Sequence, residues 1–268
     1  MNLTDTAFDC LIRPLRVRGK FRFLAPLLPR TGTRTAKVFG HRMSLDLADV
    51  GQRGVYLGSY EFNETRWVRS ILHAGDTAID VGANCGYYTA LFSRIVGPSG
   101  QVLALEPNPR LADRLEHFAA SNGLSHVEII RAGASDSHSC ITLYIPPAED
   151  HNESATMAKM PSWAPVDVPI VRLDKICGDR NVTRVKLLKL DIEGHEHRAL
   201  SGMEDLLRKG VVRYLLTELN HYWLKEQGSS PRALLNFCRE MGFRRTIHMD
   251  HPDPEKIGSV LLEWTPEP

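Results

Sequence analysis

The chain has 268 residues, 43% of them apolar and 24% charged, with a formal net charge of +1. This is the composition of an ordinary soluble globular protein, and it lacks the global basic excess of a nucleic-acid binder. The length suits one α/β domain with an N-terminal extension. The five cysteines, at 10, 85, 140, 177 and 238, are odd in number and in no CxxC spacing, so neither a zinc site nor a disulfide framework is supported. A reducing cytoplasm fits this usage, and no run of about 18 apolar residues or secretory leader is visible.

In chain order, the first feature is a basic segment, 10–30. It carries Arg13, Arg16, Arg18, Lys20, Arg22 and Arg30 with Leu11, Leu15, Val17, Phe21, Phe23 and Leu24 between them, and no acid. Two readings stand: a candidate contact to a membrane surface or a protein partner, or a solvated arm whose apolar residues pack on the main domain. Pro14 and Pro26 exclude one continuous helix. From Lys37 to Asp49 apolar and polar residues alternate, which predicts a short strand or hairpin. Trp67, Val68, Ile71 and Leu72 predict a helix within Tyr60–His73, ended by Gly75. We therefore set an extension over 1–59 and a main domain over 60–268.

Beyond this, short apolar runs alternate with helical segments, the mark of βαβ units and a mostly parallel sheet. Strands are predicted at Thr77–Val81, Gln101–Leu105, Val127–Arg131, Val185–Leu190, Val211–Glu218, Arg244–Met249 and Gly258–Trp264. Helices are predicted at Tyr87–Val96, Pro109–Asn122, His195–Arg208 and Pro231–Met241, two with proline in the first turn. Cys140–Leu173 breaks the rhythm with two strands, ITLYI and VDVPIVRL, around a polar, Pro-rich loop holding His151, Asn152, Met157 and Trp163. That insert is where a substrate lid is expected.

The chemistry concentrates at strand ends. DVGANCGYYT, Asp80–Thr89, joins a strand to a helix, and Gly82 and Gly86 allow a sharp turn and close approach to a ligand. Asp80 is placed to accept, through water, from a ligand ammonium, with Asn84 and Thr89 adding polar contacts. Glu106 ends the next strand and suits both hydroxyls of a ribose. Ser135 and Asp136, after the third strand, can read an adenine amino group and ring nitrogen, or form only a turn. A nucleoside ligand is implied. GANCG lacks the middle glycine of G-x-G-x-x-G, which makes a nicotinamide dinucleotide the weaker choice. The fourth strand ends in KLLKLDIEGHE, presenting Asp191 and Glu193 at the same edge, where buried carboxylates require partners.

These motifs (DVGANCGYYT, Glu106-Pro107, Ser135-Asp136, LKLDIEGHE and the strand end TEL with Glu218) resemble the FkbM family of methyltransferases, from about Tyr60 to the C-terminus. The resemblance implies a class I, Rossmann-like, doubly wound sheet of seven strands with the last antiparallel, and S-adenosylmethionine as cofactor. It places Asp80, Gly82, Asn84 and Gly86 around the methionine part, Glu106 at the ribose and Ser135 with Asp136 at the adenine. Tyr60 and Glu61 close over the methionine end. It further implies O-methylation of a hydroxyl on a sugar, glycan or natural-product scaffold, without a nucleic-acid partner; a carboxylate or nitrogen acceptor is the alternative. A small-molecule acceptor must lose a proton, and His195, Asp191 and Glu193 are the candidate bases by location. No metal is expected; were one used, Asp191, Glu218 and Asn220 are the oxygen ligands. His221, Tyr222, Trp223 and Trp163 are expected as an apolar wall for the acceptor or as core packing. Cys85 is expected to be a packing residue. Rival classes are a nicotinamide-dependent oxidoreductase and a non-catalytic protein that retained the fold. The second conflicts with the retention of Asp80, Glu106, Asp136 and Asp191. Nothing in the sequence sets an oligomeric state.

Overall fold

The computed structural model describes residues 20–28, 31–147, 162–249, 251, 253, 256 and 258–266. Most of the basic segment, 10–19 with 29 and 30, lies outside the described residues, as do His151, Asn152 and Met157 of the insert loop. What is described of that segment is helix α1 (Lys20–Leu24) and a 3₁₀ turn, Ala25–Leu27, with Pro26 in its first turn. Phe23 on α1 is 73% exposed. Among the described residues, no helix is long and apolar enough to cross a membrane.

The predicted hairpin starts earlier than its alternation suggests. Strands β1 (Thr33–Val38) and β2 (His41–Asp46) pair from Thr33↔Asp46 to Val38↔His41. Phe39 and Gly40 form the two-residue turn, both at positive φ (49° and 93°), the geometry that matches strand twist. Ala36, Val38, Met43 and Leu45 face inward at alternate positions. Helix α2 (Val50–Leu57) follows, capped by Asp49, whose Oδ1 accepts from the Gln52 amide at 2.7 Å. Then comes α3 (Phe62–Ile71).

The main sheet contains β3 (Thr77–Val81), β4 (Gln101–Leu105), β5 (Val127–Ile130), β9 (Val185–Leu190), β10 (Val212–Glu218), β11 (Arg245–Met249) and β12 (Ser259–Glu263). Its spatial order is β11-β12-β10-β9-β3-β4-β5, and β12 pairs antiparallel with both neighbours while the other pairs are parallel. This is the expected doubly wound, seven-stranded, class I methyltransferase sheet. Between its strands run α4 (Tyr87–Val96), α5 (Pro109–Ser121), α6 (Leu173–Asp179), α7 (Glu196–Ser201), α8 (Glu204–Arg208), α9 (His221–Glu226) and α10 (Pro231–Glu240). A smaller sheet, β6-β8-β7, holds β6 (Gly133–Ala134), β7 (Ser139–Ile145) and β8 (Ala164–Val171).

Successive side chains of the central strands enter opposite cores. Ile79, Leu103 and Leu188 join one cluster with α6, α7, α8 and α10, while Ala78, Val102 and Leu187 join another with α4 and the N-terminal elements. Because Ala36, Met43, Leu45 and Val55 share that second cluster with Val68, Leu91 and Val102, the core runs without interruption across the boundary drawn at residue 59. The described part of the extension is therefore one wall of the main core. The single helix expected over His195–Arg208 is two, α7 and α8. A Cβ on Gly202, between them, would stand 2.0 Å from the Ser135 carbonyl oxygen, so only glycine lets the two backbones approach this closely.

Candidate active site

The strand order reverses between β3 and β9, and in open α/β sheets ligands bind beyond the carboxyl ends of the strands at such a point. A cavity of about 470 Å³ lies there, lined by the ends of β3, β4, β9 and β10, by Tyr60–Glu61 ahead of α3, and by the small sheet.

Gly82, directly after β3, has φ +76°, and a Cβ there would stand 2.0 Å from the Asp191 carbonyl oxygen. Only glycine lets the β3 and β9 ends meet this closely. Asn84 follows at φ 49°, and its amide donates to Glu106 Oε2 at 2.8 Å. The Asn108 amide donates to Glu106 Oε1 at 2.9 Å. Glu106 is thus clamped against the turn and lines the cavity, and burial pushes its carboxyl up to about 7. Asn108 caps α5 through its Oδ1, at 3.1 Å from the Arg110 amide, with Pro109 in the first turn.

A buried cation not singled out from the sequence sits at the centre. Lys189, on β9, points its Nζ to Asp191 Oδ2 at 3.2 Å, to Asp80 Oδ1 at 3.7 Å and to the Gly82 carbonyl at 3.4 Å. Its Nζ also lies 4.9 Å from the Tyr88 ring centroid. Burial alone would lower the ammonium's pKa, but Asp191 and Asp80 outweigh it and raise it. Asp80 is wholly buried and accepts from the Thr89 hydroxyl at 2.7 Å. Burial raises its carboxyl despite Lys189. The Tyr88 hydroxyl donates to Glu61 Oε2, and the Tyr60 hydroxyl bonds the same carboxylate. Burial pushes both phenols well above their ordinary range.

The β9–β10 edge carries the acids. Burial, then Asp191, pushes Glu218 up to about 9, so Glu218 keeps its proton and hydrogen-bonds Asp191. Burial opposes ionisation of Asp191, but Lys189 and that hydrogen bond hold its carboxyl below the ordinary range. Glu193, at φ 53° and lining the cavity, is pushed up to about 7 by burial and by Asp191. Glu196 closes the loop: its Oε1 accepts the Ile192 and Gly194 amides at 3.0 and 3.3 Å. His195 also lines the cavity. Its Nε2 lies 3.0 Å from Ser135 Oγ, its Nδ1 is buried without a hydrogen-bond partner, and burial followed by Arg198 lowers its pKa.

The predicted site residues therefore divide. Glu61, Gly82, Asn84, Glu106, Asp191, Glu193 and His195 line one cavity. Asp80, Gly86 and Thr89 stand behind its wall: Asp80 has no exposed surface for a ligand or its water, and it meets Lys189 instead. Ser135 and Asp136 do not line the cavity either. The Ser135 hydroxyl lies within hydrogen-bond distance of His195 and Asp136, and Asp136 lies 4.0 Å from Arg198. The conditional metal set is not assembled. Asn220 Oδ1 caps α9 by accepting the Trp223 amide at 3.3 Å, and Asp191 and Glu218 share a proton. Among the described residues, no cluster of three His, Cys, Asp or Glu could hold a metal ion. Trp163, His221, Tyr222 and Trp223 are absent from the cavity wall; Tyr222 is 62% exposed and packs edge-on against Trp223. The apolar wall comes instead from Ile141, Leu143 and Ile170 of the small sheet.

The strand order with one reversed strand, together with a glycine turn and a clamped acid at adjoining strand tips, defines a class I methyltransferase. The chain belongs to the FkbM methyltransferase domain family, whose model matches residues 80–245. It is 26% identical over 164 residues to the 31-O-demethyl-FK506 methyltransferase FkbM of Streptomyces tacrolimicus, covering 50% of this chain and 62% of that protein. To the hexuronic acid methyltransferase AglP of Haloferax volcanii it is 27% identical over 146 residues, covering 54% and 56%. A 59-residue stretch, 22% of this chain, is 41% identical to protein-L-isoaspartate O-methyltransferase 2 of Archaeoglobus fulgidus, of which it covers 27%. Each match spans less than two thirds of the relative's own length. The crystal structure of an FkbM methyltransferase from Methylobacillus flagellatus superposes with a TM-score of 0.47 at 16% identity, over 80% of this chain and 54% of that one.

Proposed function

We propose that the chain binds S-adenosylmethionine in this cavity and methylates a hydroxyl of a sugar, glycan or natural-product scaffold. Glu106 carries the reading. Each of its oxygens holds one backbone amide, and a carboxylate offers roughly four lone-pair sites, so capacity remains for the two hydroxyls of a ribose. The tight Gly82 turn beside it suits the methionine part, with Asn84, Glu61 and Tyr60 around it. The apolar face of Ile141, Leu143 and Ile170, next to Gly133 and Pro107, suits the adenine ring. Asp80, with Thr89, contributes by holding Lys189.

The bound cofactor supplies a methyl group on a positively charged sulfur. The protein's part is to position the acceptor and take its proton. Positioning is worth roughly 7–11 kcal/mol of barrier and a general base about 10²–10⁴-fold. Glu193, near 7, and neutral His195 suit the base role at neutral pH, whereas Asp191 is committed to Lys189 and Glu218 and acts as an orienting group. The cavity wall carries Glu61, Glu64, Glu106, Asp191 and Glu193, besides the protonated Glu218, against one ammonium, Lys189, which is itself claimed by two acids. Such a wall favours a neutral hydroxyl acceptor over a carboxylate, as like charges repel. Of the two longer matches, the name of one refers to an oxygen of FK506, which agrees with a hydroxyl acceptor, while the other names a hexuronic acid, which bears both hydroxyls and a carboxylate.

Isothermal titration tests this. S-Adenosylmethionine and S-adenosylhomocysteine bind, NADH does not, and Glu106→Ala weakens the sulfur nucleosides by about tenfold or more, roughly 1.4 kcal/mol. A wild-type protein that binds NADH, or neither sulfur nucleoside, overturns the reading.

A further inference from the structure

Nine of the chain's 33 Lys and Arg residues and none of its 32 acids fall within residues 10–44, so the rest of the chain is net negative. The structure gathers four cations where that stretch meets the main domain. Lys37 and Arg42, both exposed, are direct cross-strand partners on the face of the β1–β2 hairpin opposite to Ala36, Val38 and Met43. At the hairpin turn, Arg94 Nε stands 3.7 Å from where a Cβ on Gly40 would lie, and the Arg69 guanidinium carbon is 5.5 Å from the Phe39 ring centroid. Arg69 and Arg94 are exposed in the last turns of α3 and α4. Among the described residues, none of the four cations is paired with a carboxylate. Burial, then Arg94 and His126, lower the pKa of His41 beside the turn, as a local positive field requires.

Like charges directly opposite each other on a sheet destabilise it, so the Lys37–Arg42 pair does nothing for the hairpin's own stability. An unneutralised positive surface attracts an anionic partner. Two features select a lipid surface as that partner. The same stretch interleaves its cations with apolar residues, and where it is described Phe23 on α1 is 73% exposed. Val50, which opens the helix α2 on which α1 packs, is 59% exposed. Exposed apolar side chains among cations suit the boundary between headgroups and acyl chains, whereas a phosphate backbone offers no apolar layer. The second feature is the opposite sign of the remaining chain: a flat anionic surface draws in the N-terminal unit and turns the negative remainder away. We propose that the N-terminal unit docks the protein reversibly on an anionic bilayer, with Lys37, Arg42, Arg69 and Arg94 against the headgroups. The inference does not depend on what the cavity binds. Each Lys or Arg near such a surface is worth roughly fivefold in partition.

Co-sedimentation of the full-length protein with vesicles tests the docking. Vesicles of equal parts phosphatidylcholine and phosphatidylserine are compared with phosphatidylcholine alone, at about 0.1 M and about 1 M salt, between which the screening length falls from about 10 to about 3 Å. The wild type is expected in the pellet with the mixed vesicles at low salt and in the supernatant otherwise. Lys37→Glu sets an acid opposite Arg42, so Tm should hold or rise, while the loss of two units of positive charge lowers partition roughly 25-fold. Replacing Arg69 and Arg94 together with glutamine should lower it by a similar factor, and this keeps the test open should Lys37→Glu fail to fold. Four results overturn the proposal: wild type left in the supernatant with the mixed vesicles, equal binding to phosphatidylcholine alone, binding indifferent to salt, or folded variants that partition as the wild type does. A short DNA duplex supplies the last arm. Retention of the protein by the duplex in preference to the mixed vesicles assigns the patch to nucleic acid and overturns the lipid reading.

Discussion

Replacing Lys189 with methionine tests the electrostatic centre of the site. The ammonium stands 3.2 Å from Asp191 Oδ2 and 3.7 Å from Asp80 Oδ1, which at an effective dielectric of about 20 corresponds to attractions of about 5 and about 4 kcal/mol before desolvation is charged against them. Removing one partner of a buried pair typically costs about 3–5 kcal/mol, because the remaining charge is stranded. For a domain of this size that lowers Tm by roughly 6–20 °C. The loss depends on pH in a definite direction. Asp80 already binds its proton more tightly in the folded protein than at its ordinary value of 3.8, and without Lys189 that value rises further. A carboxyl raised on folding binds more protons folded than unfolded, so stability falls as pH climbs from the unfolded toward the folded value. Urea unfolding at pH 5 and pH 8 should therefore show a larger deficit, relative to wild type, at pH 8. A deficit below about 1 kcal/mol at pH 8, or one equal at both pH values, refutes the argument.

Three further outcomes follow from the same geometry. Gly82→Ala places a methyl 2.0 Å from the Asp191 carbonyl at a φ of +76°, and strain plus overpacking should cost roughly 2–6 kcal/mol in urea unfolding. Glu218→Gln keeps a donor for Asp191, so its stability should stay within about 1 kcal/mol of wild type, whereas Glu218→Ala loses the donor and should cost about 1–3 kcal/mol more. Glu106→Ala strands the amides of Asn84 and Asn108; beyond weakening the cofactor, it should destabilise by about 2–5 kcal/mol by thermal or urea unfolding.

The main sheet was legible because its strands are short apolar runs between turn residues. Thr77–Val81, Gln101–Leu105 and Val185–Leu190 begin and end where the sequence places them. Elements fixed by distant contacts were not. Nothing local announces that the backbone at Gly202, where the helix after His195 breaks, lies against the Ser135 carbonyl, and the pairing of Gly133–Ala134 with β8 is too brief to leave a pattern. The strand-end residues of the site could be read from the motif positions: Gly82, Glu106, Asp191, Glu193 and His195 share one cavity. Lys189 was missed because a lysine within an apolar strand reads as an outward-facing charge, although its spacing of two from Asp191 puts both on one face. Tyr88 reads as an ordinary apolar helix residue. The contact of the Ser135 hydroxyl with His195, 60 residues on, has no signature in the sequence.

The small sheet β6-β8-β7 lends Ile141, Leu143 and Ile170 to the cavity, yet its strands pair with one another and not with the main sheet. β7 and β8 pair along their whole length, from Ser139↔Ile170 to Ile145↔Ala164, and the main sheet keeps its seven strands without them. Gly82 and Glu106 sit at the ends of the main sheet, whereas Ile141 and Leu143 belong to a hairpin-like appendix with its own register. Such a part can be exchanged as a cassette: transplanting residues 139–171 between relatives would swap one wall of the chamber while leaving the glycine turn and the Glu106 clamp where they are.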